Sequence, residues 1–257
     1  MNSTNYTDEQ FEQLEQEERV LTDAAILTML LSSNKVKESL KKELRDFYQK
    51  YGKDGVITYA EARKWISEKD HRKRLSVLLL FVGDEFDALF DELIPPFQEM
   101  LLDVVKKESD FFDVDLEAYE VTERQWGVDE LTWEERLVDD VAIWSVYLAN
   151  DIKRYILQRK TLDELLTQID KRFGSIESVI NKLALTESTA VGSMAREKAF
   201  RELGITKYQF YTRADERTCE VCGSMHGLIF PISAFEVGVT ASPLHPHCRC
   251  WEVPIWE

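Results

Sequence analysis

All four cysteines and three of the four histidines of this chain fall within about its last forty residues. They form two clusters, Cys219-Glu-Val-Cys222 and His245-Pro-His-Cys248-Arg-Cys250. Thiolates and imidazoles at such spacing, presented from tight backbone knuckles, are the usual ligand set of a structural zinc ion. A segment with no large apolar run can then fold, because metal binding supplies folding free energy of the order of 10 kcal/mol in small zinc domains. Two other readings of the cysteines fit less well. A disulfide pair needs an oxidising compartment, and Met1-Asn-Ser-Thr-Asn-Tyr lacks the basic stretch and apolar core of a secretory signal. A redox Cys-x-x-Cys opens a helix after a strand, whereas Gly223 and Gly227 here point to a turn. Six residues, Cys219, Cys222, His245, His247, Cys248 and Cys250, compete for four coordination places. The favoured set is Cys219, Cys222, His245 and Cys248, with Cys250 or His247 as the alternate; His226 reads as a turn residue.

The 257 residues suffice for one large domain or two modest ones, and 44% apolar content allows a sizeable core. A formal charge of -16 disfavours a general grip on nucleic acid or anionic lipid, since both require Lys and Arg to neutralise phosphates. The longest apolar run, Val77 to Val82, is far short of the roughly 20 residues of a membrane span. The expectation is a soluble protein made in a reducing cytoplasm.

Thr7-Asp-Glu-Gln10 has the form of a capping box and predicts a helix start. An acidic helix follows, apolar from Ala24 to Leu31, and a second from Val36 to Tyr51 stops at Gly52, the two pairing as a hairpin. Gly52 to Glu61 resembles the second half of a calcium-binding loop, but Lys50 and Gly52 stand where two oxygen ligands are needed. It reads as a turn leading to a helix N-terminus at Thr58. Helical signal continues from Glu61 to Glu68 and from Arg74 to Leu93, with Leu78, Val82, Phe86 and Phe90 on one face. Pro95-Pro96 is expected to interrupt it before a new helix from Phe97 to Lys107. The acidic stretch Glu108 to Glu123 reads as a linker, placing a boundary between residues 1–125 and 126–257.

Thr132-Trp-Glu-Glu135 is another capping box, followed by a stripe of Leu137, Val141, Trp144, Leu148, Ile152 and Tyr155. Thr161-Leu-Asp-Glu164 starts a shorter helix ended by Gly174, and a long helix from Ile176 to Leu203 closes on Gly204. Glu187 lies on the apolar face of that helix with Ile176, Ile180, Leu183, Ala190 and Met194. A carboxylate there needs a partner or a raised pKa, because burying an unpaired charge costs several kcal/mol. Arg249 and Arg213 are the first candidate partners. After Gly204 the pattern turns to strand: Lys207 to Thr212, Leu228 to Ile232 and Trp251 to Trp256, with a loop from Ser233 to Leu244. The expected fold class is α+β: a mostly helical N-terminal part, helices over 131–203, and a small β module over 205–257 clipped by zinc.

At these residues the chain resembles the Mu-F-like minor head proteins, or head morphogenesis proteins, of tailed bacteriophages and prophages. The shared elements, in order, are Thr186-Glu187, Gly204-Ile205, an aromatic strand ending in Thr212-x-x-Asp215, Arg217, Cys219-x-x-Cys222, Gly227 before an apolar strand, and Pro243-Leu-His-Pro-His-Cys-Arg-Cys250. The resemblance covers roughly residues 130–257. Where the family often has an arginine shortly before its Thr-Glu, this chain has Leu183-Ala-Leu185; where it has a strand tryptophan, Phe210 stands. The resemblance implies a structural protein of the phage head, made in the host cytoplasm, associated with the portal, and needed for assembly or for DNA packaging or ejection. Its helical first half would dock on portal, capsid or scaffold proteins, and no membrane is involved. Two other classes stay open: a zinc-dependent hydrolase or toxin-like domain with Glu187 as general base, and a zinc-knuckle nucleic-acid binder using Tyr208, Phe210, Tyr211, Trp251 and Arg249, in contact with packaged DNA.

Overall fold

The computed structural model describes residues 6–57 and 69–256. At the first helix start the Thr7 hydroxyl accepts from Gln10 N, and the Gln10 side chain accepts from Thr7 N at 2.8 Å, the two halves of a capping box. Helix α1 then runs unbroken from Asp8 to Tyr51, so the expected hairpin does not form. Ser32-Ser-Asn34 interrupts the apolar pattern but contains neither Gly nor Pro. Its Asn34 amide folds back onto the Leu30 carbonyl at 3.0 Å, which leaves the backbone ladder intact. Gly52 ends α1, where its N–H meets Tyr48 O at 2.7 Å and a Cβ would collide with that same oxygen. A turn follows, with Lys53 bridged to Val56. The helix start at Thr58 and the helix from Glu61 to Glu68 lie outside the described residues.

Helix α2, Lys69–Phe112, passes straight through Pro95-Pro96 and through the start of the supposed linker. The prolines deprive the Asp91 and Glu92 carbonyls of their helical donors. Both residues are exposed, so water can serve those carbonyls, while fully buried Leu93, Phe97 and Leu101 anchor the helix on either side. The acidic stretch is core-bound rather than extended. Glu108 is fully buried, Phe112 is 2% exposed, and a short helix α3, Ala118–Thr122, buries Val121 and Thr122.

Helix α4, Trp133–Leu157, starts on the Thr132–Glu135 box. Its stripe from Leu137 to Ile152 is buried, and Tyr155 is half-buried. Helix α5, Leu162–Glu202, starts on the Thr161–Glu164 box and continues past Gly174, where a stop is expected. A helical glycine costs only about 1 kcal/mol, and burial of Phe173 and Ile176 outweighs it. The true stop is Gly204 at φ +72°, where Ile205 N–H reaches Phe200 O and Gly204 N–H reaches Arg201 O, the paired bonds of a Schellman cap.

Beyond it stand β1 (Lys207–Tyr211), a one-turn helix α6 (Glu220–Met225), β2 (Ile229–Pro231), a 3₁₀ turn (Ile232–Ala234) and β3 (Trp251–Ile255). The sheet order is β2-β1-β3, both pairings antiparallel, with Tyr208 opposite Phe230 and Phe210 opposite Glu252. The fold is thus α+β, long helices followed by a small C-terminal sheet.

Two compact units share the chain. One comprises Met1–Leu27, Pro96–Arg136 and Asn181–Glu257, the other Thr28–Pro95 and Leu137–Ile180. In the first, Phe11, Phe112, Ala199, Phe200, Ile205, Tyr208 and Trp251 form a core, and Phe210 packs with Cys222, Cys248 and Cys250 in a second cluster. In the second unit Asp151, buried, accepts from Arg172, Gln168 and Arg154. Among the described residues no helix is long and apolar enough to cross a membrane.

Candidate metal centre

The first knuckle is built by the turn after β1. Asp215 Oδ1 accepts from Arg217 N and Asp215 O from Thr218 N, which turns the chain so that Cys219 becomes the N-cap of α6. Its sulfur accepts the Cys222 N–H at 3.4 Å and its carbonyl accepts Gly223 N–H at 2.8 Å. The Cys222 amide holds the Cys219 thiol below its ordinary pKa. Cys219 therefore gives up its proton more readily than an ordinary thiol.

The second knuckle brings His245 Nε2 to 3.2 Å from Cys219 Sγ and 3.1 Å from Cys222 Sγ, and Cys248 Sγ to 3.7 Å from Cys222 Sγ. His247, at φ +60°, turns the chain between Pro246 and Cys248, and its N–H donates to Thr186 Oγ1 on α5. His245 Nδ1 lies 2.8 Å from Pro246 O. Donation to that carbonyl leaves Nε2 as the lone-pair nitrogen facing the sulfurs, the outer hydrogen bond that ligating histidines commonly make. Burial lowers the His245 pKa, but the Pro246 carbonyl and the neighbouring sulfurs outweigh it and leave it raised.

Two triads of donor atoms, each within 4.8 Å of one another, result: Cys219, Cys222 and His245, and Cys222, Cys248 and Cys250. Cys222 belongs to both. Around a tetrahedral zinc, bond lengths of ~2.3 Å to sulfur and ~2.05 Å to nitrogen imply contacts of ~3.8 Å between sulfurs and ~3.6 Å from sulfur to nitrogen. The Cys222–Cys248 spacing of 3.7 Å matches, and the His245 nitrogen at 3.1 and 3.2 Å sits somewhat inside the sulfur–nitrogen figure, so the donors present fit such an ion after a small outward shift of the imidazole. The four cysteines are free thiols. Their crowding has a cost without a cation. Burial, then Cys248, pushes the Cys222 thiol up to about 12, and Cys250 is also raised, chiefly by its hydrogen bond to Cys248, while that bond lowers Cys248 to about 6. One thiolate is tolerated at the expense of its neighbours; a bound dication would favour deprotonation of all its thiol ligands. His226, the remaining histidine of the region, accepts Thr212 N–H on Nδ1 at 3.1 Å and stays outside both triads.

Arg249 lies between Cys248 and Cys250 and forks onto Asp215 with bonds of 2.6 and 2.8 Å. That pair links the two knuckles independently of any ion, and Arg249 holds the Asp215 carboxyl well below the usual range. Arg249 is therefore not the partner of Glu187, and neither is Arg213. Glu187, 1% exposed, is met by Arg136 Nη1 at 2.9 Å and Trp126 Nε1 at 2.8 Å, and the Arg136 guanidinium stacks 4.5 Å from the Trp126 ring. Asp129 takes the other side of Arg136 at 2.6 Å. Burial raises the Glu187 pKa, and Arg136 opposes the rise. The arginine comes from the first turn of α4, a region the sequence pattern offers mainly as a cap.

A larger polar cluster escapes the sequence pattern altogether. Arg196, 1% exposed, faces Glu15 and Glu18 of α1, Glu108 of α2 and Glu252 of β3. Gly192, one turn before it, has room for no more than a Cβ at 3.5 to 3.7 Å from Glu18, Val104 and Glu108. Glu252 also accepts from Ser193 Oγ and Ser242 N, fastening β3 to α5. Burial raises Glu18, Glu108 and Glu252, with Glu108 reaching about 7. The strand aromatics Tyr208 and Phe210 are fully buried and Trp251 is 2% exposed, so they pack the core and are not open to stack on bases.

Long helices followed by a Cys/His-knuckled three-stranded sheet define the class: an α+β protein with a candidate metal module at its C-terminal end. Residues 148–253 match the family described as phage Mu protein F like protein, which supports a family-level identification of that stretch as Mu-F-like. The matched stretch contains Glu187 and both knuckles, but not Arg136 or Trp126. No curated protein and no solved structure matches the chain.

Proposed function

We propose that this chain is a minor head protein of a tailed phage or prophage, a structural and interaction component that associates with the portal and serves head morphogenesis. The family match over residues 148–253 carries this reading. The module over 126–257 is held by a structural zinc through Cys219, Cys222, His245 and Cys248, with Cys250 as the alternate fourth ligand. Cys250 is the better alternate because it shares a triad with Cys222 and Cys248, whereas exposed His247 belongs to neither triad. Zinc would supply a cross-link between the knuckles. The helical region over 1–125 provides docking surface for portal, capsid or scaffold proteins within the virion.

A structural role is favoured over hydrolysis because Glu187 has Arg136 on one oxygen and Trp126 on the other, an arrangement that fixes a carboxylate rather than poising a base. Affinity capture of the chain from cells producing the whole phage tests the reading. Portal protein is expected among the captured partners; recovery of host enzymes or nucleic acid in its place would overturn it.

A further inference from the structure

Four arginines converge on a cavity of about 200 Å³ beside the second knuckle: Arg19 from α1, Arg213 and Arg217 from the turn after β1, and Arg249. In a chain of net charge -16 such a gathering of one sign is a local exception. Two of the four are already committed, Arg249 to Asp215 and Arg19 to Asp23. Among the described residues Arg213 and Arg217 have no carboxylate partner. They are exposed on the side of the cavity, held there by a turn that Asp215 and Thr218 fix.

Glu15 and Glu18 of α1 also line the cavity, beside Arg19, yet they oppose the arginines weakly. Glu15 is bonded to Arg196, and Glu18, buried against Glu108, is held well above the usual carboxylate range. The cavity is smaller than the several hundred Å³ of a drug-sized ligand site. It suits a compact tetrahedral oxyanion, for which guanidinium forks are the matching donors.

We propose that this cavity is a phosphoryl-anion site, in which Arg213 and Arg217 bind the anion and Arg19 and Arg249 flank it. The site is separate from the zinc reading, although Arg213, Arg217 and Arg249 also line the small cavity at the cysteines. The competing role for these arginines is to offset the thiolates. The two roles part on metal content, which is measured independently of anion binding.

The test titrates the full-length, metal-analysed protein with inorganic phosphate, with pyrophosphate and with a short DNA duplex, using chloride at matched ionic strength as the control. Phosphate or pyrophosphate is expected to bind and raise the melting temperature beyond chloride. The R213Q/R217Q double variant should weaken that binding by roughly a hundredfold, two charge-assisted contacts being lost, with metal content and fold unchanged. Duplex binding that is lost in the same variant, with a shallower salt dependence, identifies a nucleic-acid backbone as the phosphate source. Phosphate binding without duplex binding identifies a free phosphoryl anion. Phosphate indistinguishable from chloride, or a double variant that binds as the parent does or loses its metal, overturns the proposal.

Discussion

Replacing Glu108 with Gln should flatten the dependence of stability on pH between about 4.5 and 7. Glu108 is fully buried, and burial lifts its pKa from 4.5 to about 7 against the pull of Arg196. Below the unfolded value both states hold the proton and the group contributes no slope. Between the two values the unfolded chain has ionised while the folded one keeps its proton, so each pH unit removes about 1.4 kcal/mol of stability. The stabilisation is complete below about pH 4.5 and gone above about 7, a loss of about 3 kcal/mol over the window. Glutamine keeps the shape, removes the titration and relieves Glu18 of its acidic neighbour, while Arg196 retains Glu15, Glu18 and Glu252. Urea unfolding of parent and variant at pH 4.5, 5.5, 6.5 and 7.5 reads the effect. The protons of the Cys/His knuckles are common to both proteins, so the difference between the curves isolates the acid cluster. The variant should gain on the parent by about 3 kcal/mol from the acid to the neutral end. Parallel curves would show that Glu108 is ionised in the folded state and that the burial argument is wrong.

Other consequences are as direct. Removing metal with a chelator should lower the melting temperature of the purified, reduced protein, and Cys222→Ser, which breaks both donor triads, should abolish stoichiometric zinc in elemental analysis; an unchanged melting curve would dismiss the clip. Arg136→Met leaves Glu187 buried without its cation and should cost about 3 to 5 kcal/mol in denaturant unfolding, whereas a cost under about 1 kcal/mol would mean Glu187 reaches solvent. Gly204→Ala, at φ +72°, should destabilise by about 1 kcal/mol because only glycine occupies that conformation without strain; a stabilised variant would contradict the Schellman cap.

The sequence is most informative where one local rule decides the structure. Three capping boxes, the Gly204 stop and the strand from Lys207 are visible because backbone chemistry or strict alternation sets them. It misleads where tertiary burial overrides a local breaker. Pro95-Pro96 and Gly174 each weaken a helix, but Phe97, Leu101, Phe173 and Ile176 bury enough apolar surface to carry the helix across. Reading Glu108 to Glu123 as a linker also hid the acid cluster. In register with buried Phe97, Leu101, Val104 and Phe112, Glu108 is the same anomaly that singled out Glu187, a carboxylate on an apolar stripe. The pairing partners were beyond reach for a different reason. Arg136 lies 51 residues from Glu187 and Arg196 lies 178 from Glu18, and no local pattern encodes contacts at that separation. The gathering of the two knuckles was legible because cysteine and histidine spacing carries its own chemistry.

The bidentate clasp between Asp215 and Arg249 spans 34 residues of chain and ties together the same two segments that an ion would bridge. A cation arriving there would meet donors that are already neighbours, although a pair this exposed offsets only a small part of the entropy of closing the loop. Were an ion bound there and then lost, a guanidinium and a carboxylate would still hold the two ends within reach of each other.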